Sequence, residues 1–192
     1  MKQHASAMRL WATFFGYELV WFAAVIGAGR GHFWPGLGVA VLFAAWQVAT
    51  SRQRALDLRL TVVALALGAL LDGGAAAGGF IHYAAAAPAL PAGGAPLWIL
   101  AMWVAFALTL RRSMAWLQGR PWFGMALGVI GAPLAYAGAT HWQALRFAPP
   151  KWYAILWLAS GWAAAIPVLT YLSARRSRAP RDRTTLDAGI RR

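Results

Sequence analysis

The chain has 192 residues, of which 60% are apolar and only 12% charged, and its formal net charge is +13. Soluble domains carry about 25% charged residues; here the charges fall in clusters between long apolar runs, and no polar stretch is long enough to fold a soluble domain. Nucleic-acid binding needs a basic stripe on a folded surface and none is visible. The absence of Cys excludes thiol catalysis, disulfides and Cys-ligated metal.

A bilayer core takes about 20 apolar residues per helix, and six segments fit. They run from Leu10 to Ala28, Phe33 to Thr50, Leu58 to Phe80, Pro96 to Leu110, Trp122 to Thr140 and Trp152 to Leu172. The first continues through Trp21 and Phe22 without a small-residue cleavage site, so it reads as a retained helix and not as a signal peptide. Lys and Arg concentrate on alternate connections. The N-terminal segment, the second and fourth loops and the tail hold 15 of the 18 basic residues, and the other loops hold only Arg30, Arg146 and Lys151. Such an excess marks the cytoplasmic side. The expectation is an all-α polytopic membrane protein with six transmembrane helices and both termini cytoplasmic. Residues 1–172 would form one domain, and residues 173–192 a basic, disordered cytoplasmic tail resting on anionic lipid.

The connections differ in character. Ala84 to Gly94 is rich in Ala, Pro and Gly and uncharged, which predicts a flexible external loop. The stretch from His141 to Tyr153 mixes aromatics and cations, as the headgroup layer favours. Trp11, Trp34, Trp98, Trp122 and Trp152 fall near segment ends, where indoles favour the interface. Trp21, Trp103 and Trp157 fall deeper and read as packing residues. The two halves show no internal match of the kind inverted repeats would give.

Ionisable residues inside the bilayer are expensive, about 2.5–3.5 kcal/mol on insertion scales, and they carry the most functional information. Glu18 lies about 12 Å along the first segment, near the midplane. Asp72 lies about 21 Å along the third, towards the outer side. Gly68, Gly73, Gly74, Gly78 and Gly79 surround Asp72, and Gly74 with Gly78 makes a small-xxx-small pair that permits close helix approach. Two readings stay open for the carboxyls: hydrogen-bonded helix clamps, or the lining of a site for a proton, a cation or a polar headgroup. His32, His82 and His141 fall towards the outer face. They read as a polar rim, because no metal-binding spacing joins them and no metal is expected. In the fifth segment Gly124 and Gly128 form a second close-packing pair. Pro133 there predicts a kink, with Tyr136 one turn beyond, and Pro167 predicts another in the sixth.

Three stretches carry a resemblance. They are Gly68-Ala-Leu-Leu-Asp72; Pro96-Leu-Trp98 with Trp103-Val-Ala-Phe106 and Ser113-Met-Ala-Trp116; and Gly128-Val-Ile-Gly131-Ala-Pro133-Leu-Ala-Tyr136-Ala-Gly138. With Trp21-Phe22, this pattern resembles the bacterial inner-membrane proteins of domain-of-unknown-function family 2878, over roughly Leu10 to Leu172. The resemblance implies a multi-pass inner-membrane location. Members of that family are often encoded near enzymes that modify lipid acyl chains, such as cyclopropane fatty acid synthase-like proteins, so the resemblance also implies a link to lipid or envelope metabolism. It supplies no catalytic residues.

The expected function is to bind a lipid or another amphipathic molecule in an outward-leaning polar pocket. Asp72, Glu18, Tyr136, His82 and His141 would line it, with walls from the first, third and fifth helices, and the protein would serve as an accessory or carrier. A small proton- or cation-coupled transporter is the second reading. A lipid-modifying enzyme is the third, since no nucleophile or metal motif supports it. No cofactor is expected, membrane lipid is the expected partner, and nothing in the sequence sets the oligomeric state.

Overall fold

The computed structural model describes residues 2–174, with side chains from residue 7 onward; from residue 175 the expected basic tail lies outside the described residues. Among the described residues six α-helices alternate in direction: α1 (Lys2–Gly29), α2 (Trp34–Ala49), α3 (Arg54–Ala77), α4 (Leu97–Thr109), α5 (Pro121–His141) and α6 (Trp152–Ala174). Side-chain and backbone contacts sort the connections onto two ends. Arg112 bonds Thr50 and the Gln47 carbonyl, Arg111 pairs with Asp57, and Gln118 bonds Ser173, which gathers one set into an arginine end. The opposite end carries four short strands: β1 (Ile81–Tyr83), β2 (Ala89–Leu90), β3 (Ala95–Pro96) and β4 (Leu145–Phe147).

The helices that finish at the strand end stop for one physical reason. Their last carbonyls are closed by Schellman motifs, each needing a residue in the left-handed region. Gly31 (φ +80°), Gly79 (φ +69°) and Gln143 (φ +58°) fill that position after α1, α3 and α5. The paired backbone bonds follow: His32 N–H to Gly27 and Gly31 N–H to Ala28, Phe80 to Ala75 and Gly79 to Ala76, Ala144 to Ala139 and Gln143 to Thr140. Pro at the first helical turn starts α2 and α5, where its missing N–H costs nothing. Pro133 and Pro167 lie inside α5 and α6, which both continue past them.

Among the described residues four helices are long and apolar enough to cross a membrane: α1 over Ala7–Gly29, α3, α5 and α6. The other two coincide with the expected segments Phe33–Thr50 and Pro96–Leu110 to within one residue at each end, and they are short for a crossing. At 1.5 Å per residue, the 16 residues of α2 and 13 of α4 span about 24 and 20 Å, below the ~30 Å of a hydrocarbon core. For α4 the reason is its place. It is the central helix, buried along nearly its whole length and packed by α1, α2 and α3. A helix sheathed by protein need not match the bilayer thickness. Outward faces are apolar in turn: Phe15, Leu19, Leu42, Val62, Ile130 and Leu134 are all exposed. A soluble monomer rarely shows such a continuous apolar surface.

The 84–94 connection is folded, contrary to the flexible loop expected from its composition. β2 and β3 pair as a hairpin, with Ala89 opposite Pro96 and Leu90 opposite Ala95. Ala85 and Ala95 are buried, and the Trp98 indole N–H donates to the Ala85 carbonyl at 3.1 Å. Trp98 is thus a core residue rather than an interfacial one; Trp34, Trp122 and Trp152 are exposed near helix ends as expected, whereas Trp11 is exposed more than two turns inside α1, which begins earlier than the predicted segment. The antiparallel pair β1–β4 sets Ile81 opposite Phe147, His82 opposite Arg146 and Tyr83 opposite Leu145. Alternation along β1 then turns His82 outward and Tyr83 inward.

Candidate functional site

Asp72 is completely buried, and three donors from three different elements converge on it. The Tyr83 hydroxyl from β1 donates to Oδ1 at 2.7 Å, and the Tyr136 hydroxyl from α5 donates to the same oxygen. The Trp103 indole N–H from α4 donates to Oδ2 at 2.6 Å. One carboxyl therefore ties α3 to β1, α4 and α5. A buried carboxyl survives only when its oxygens are satisfied in this way.

The geometry depends on the glycines around Asp72. Gly68, one turn before it, faces Trp103, and a Cβ there would lie 2.6 Å from the indole Cδ1. Only hydrogen at that position lets the ring lie against α3 and reach Oδ2. Gly128 has the same role between α5 and α6, where a Cβ would meet the Trp162 backbone at 2.3 Å. The Gly124/Gly128 pair thus forms the expected seam. The Gly74/Gly78 pair does not: Gly74 receives the Trp157 ring, while Gly78 caps α3 next to Phe80. The Trp157 indole N–H bonds the Leu71 carbonyl at 2.8 Å.

Beside the cluster lies a cavity of about 180 Å³. Tyr17, Trp21 and Val25 of α1 line one side, and Leu127, Gly131, Ala135 and Tyr136 of α5 the other. Trp98, Met102, Trp103 and Phe106 of α4 form its back, with Trp162 and Ile166 of α6. It extends from Leu145 at the strand end to Met114 near the arginine end. Its walls are α1, α4, α5 and α6. The third helix, expected as a wall, contributes no lining residue and stands behind, reaching the cavity only through the partners of Asp72. Trp162 stacks on Trp103 with centroids 4.0 Å apart and planes at 17°. The Trp162 indole N–H is buried and near the Tyr136 hydroxyl, yet it completes no well-formed hydrogen bond.

Of the residues singled out from sequence, the structure brings Asp72 and Tyr136 together. Glu18 is half-buried, one residue round α1 from the cavity-lining Tyr17, and is itself not part of the lining. His82 and His141 are exposed at the strand end and lie outside the lining, as does His32. Among the described residues no three metal-ligating side chains come together. Sequence reasoning missed Tyr83, because nothing marks a strand pairing that turns it inward. It also took Trp103 and Trp157 as packing alone. A signal was available: an indole N–H deep in a membrane has no water to bond and must find an acceptor.

A bundle of long apolar helices with lipid-compatible outer faces defines a polytopic helical membrane protein. The chain matches, over residues 10–168, the family described as "Protein of unknown function (DUF2878)", and it belongs to that family. No curated protein and no solved structure matches it.

Proposed function

We propose that this protein binds a lipid or other amphipathic molecule in the cavity between α1, α4, α5 and α6, as an accessory or carrier in lipid or envelope metabolism. The observation that carries the reading is the apolar, aromatic cavity itself, with the Tyr136 hydroxyl and the poorly satisfied Trp162 N–H in its wall. A buried donor held in a poor hydrogen bond gains from a better acceptor. A ligand with an acceptor oxygen, such as an ester or carboxyl, would supply one while its chain fills the apolar space. The cavity exceeds the ~150 Å³ apolar void that takes up benzene, so it suits part of an acyl chain or a small ring system. Asp72 holds Tyr136 and Trp103 in place at the polar wall, and it acts on a ligand through them.

In this reading the chain crosses the bacterial inner membrane six times, with the arginine end cytoplasmic. The short α4 crosses inside the sheath of its neighbours. Support comes from the charge asymmetry, 15 basic residues against three, and from the alternating direction of the six helices. Glu18, His82 and His141 would then act at the rim or in folding, since they stand outside the cavity.

The test is binding of a fluorescent fatty acid to the purified protein in an uncharged detergent. Ala135→Phe, which fills the cavity, should abolish binding with the protein still monodisperse. Trp162→Phe should weaken it about fivefold, the worth of one hydrogen bond of ~1 kcal/mol. Unchanged binding in both variants would overturn the proposal. Lipid profiles of a deletion strain beside an Asp72→Asn strain address the cellular role. An unchanged lipid profile with an altered proton or cation flux would favour a transporter.

A further inference from the structure

A second cavity lies at the arginine end, remote from the Asp72 cluster. It has a volume of about 320 Å³ and is lined by Arg9, Leu10, Thr50, Ser51, Arg52, Arg111 and Arg112. Four arginines thus line one cleft. Among the described residues only one carboxylate answers them: Asp57, bound to Arg111 at 2.6 Å. Solvated topology arginines would spread apart. Here Arg112 is fixed, donating from Nη1 to the Thr50 hydroxyl at 3.1 Å and from Nη2 to the Gln47 carbonyl at 2.7 Å. Its guanidinium also stands 6.0 Å from the centroid of the Trp46 ring. Burial pushes its pKa down; Asp57 opposes this, and the charges of Arg9 and Arg111 add to it. Four arginines that share one carboxylate among the described residues are short of counter-anions.

The wall behind the cleft is also unfinished. One turn further in, the side-chain amide of Gln47 and the hydroxyl of Thr13 are buried without hydrogen-bond partners. The antiparallel packing that sets Gly16 of α1 against Phe43 of α2 brings these two to the same level. The lining also includes one exposed apolar side chain, Leu10. Arginine forks match phosphate oxygens, and two or more of them define a phosphate site better than any single cation.

We infer that the cleft formed by Arg9, Arg52, Arg111 and Arg112 binds a phosphate group, presented by a phospholipid headgroup or by a free phosphate compound. The exposed Leu10 suits the headgroup source, with the acyl chains passing over it. The site is independent of the proposed acyl cavity, so the two can fail separately.

The experiment uses the full chain in an uncharged detergent and counts retained ligand by native mass spectrometry. The probes are short-chain phosphatidylglycerol, phosphatidylcholine of equal chain length, and inorganic phosphate. Arg9→Gln and Arg52→Gln change exposed side chains and should leave folding intact, so they keep the test valid should Arg112→Gln misfold. Phosphatidylglycerol should be retained at least fivefold over phosphatidylcholine, and each variant should weaken retention about tenfold. Arg120→Gln, at the same end but outside the cleft, should leave it unchanged. Retention of inorganic phosphate with the same dependence on Arg9 and Arg52, and no preference between lipids, would support the site and assign it to a free phosphate compound. Retention insensitive to Arg9 and Arg52, or no retention of any of the three probes, would overturn it.

Discussion

Removing the two tyrosines that share one oxygen of Asp72 gives the sharpest view of the buried cluster. Tyr83 and Tyr136 both donate to Oδ1, while Trp103 alone serves Oδ2. A hydrogen bond to a charged group contributes about 1.5–3 kcal/mol, and one between neutral groups about 1. Tyr83→Phe and Tyr136→Phe should therefore each destabilise by about 1–3 kcal/mol. Because either hydroxyl can tighten on Oδ1 once the other is gone, the double variant should lose more than the sum. Coupling of about 0.5–3 kcal/mol is expected for residues sharing one partner. Asp72→Ala should exceed any single tyrosine change, because it orphans three buried donors at about 1–3 kcal/mol each. SDS-titration unfolding in mixed micelles measures all of these on one scale, with the exposed Tyr153→Phe as control. Single-variant effects within about 0.5 kcal/mol of the control, the range of neutral surface changes, would refute a cluster that ties α3 to β1, α4 and α5.

Three further outcomes follow from local geometry. Gly68→Ala should destabilise by about 1–3 kcal/mol, because its Cβ would sit 2.6 Å from the Trp103 ring; the same titration reads it, and a neutral result would place Trp103 elsewhere. Gln143→Gly should stabilise by about 1 kcal/mol, since Gln143 is the one non-glycine among the described residues at positive φ; a loss of stability would mean its side chain makes a contact worth more than the strain. Asp57→Asn should cost about 1–2 kcal/mol, the pair being mostly but not fully buried. It should also raise phosphate retention by freeing Arg111, and unchanged retention would exclude Arg111 from the anion cleft.

Much of this architecture could be read from residues because the bilayer constrains both length and charge. The segments predicted from Trp122 and Trp152 correspond to α5 and α6 within two residues at each end. Asp72 could be found because an intramembrane carboxyl is costly. Its partners could not, since Tyr83 reaches it through a pairing of β1 with β4 across more than sixty residues, which no local pattern encodes. The Ala84 to Gly94 stretch looked unstructured because its hairpin is held by tertiary burial of Ala85 and Ala95 and not by propensity. The histidines illustrate the opposite error. They share one end of the bundle, but alternation along β1 sends His82 outward while Tyr83 turns in. Apolar periodicity also gave no warning that α4 is central, because a helix buried all round and one facing lipid look alike in sequence.

The occupancy of the central cavity is tested most directly by photo-crosslinking in native membranes. A fatty acid carrying a diazirine near its terminal methyl would be incorporated by growing cells, and the crosslinked residues of this protein would be mapped by mass spectrometry. An acyl chain in the cavity predicts adducts on Met102, Phe106 and Leu127, lost in Ala135→Phe. Adducts confined to the outward-facing Leu42, Val62, Ile130 and Leu134, and unaffected by that substitution, would show that lipid only surrounds the bundle and would contradict a bound ligand.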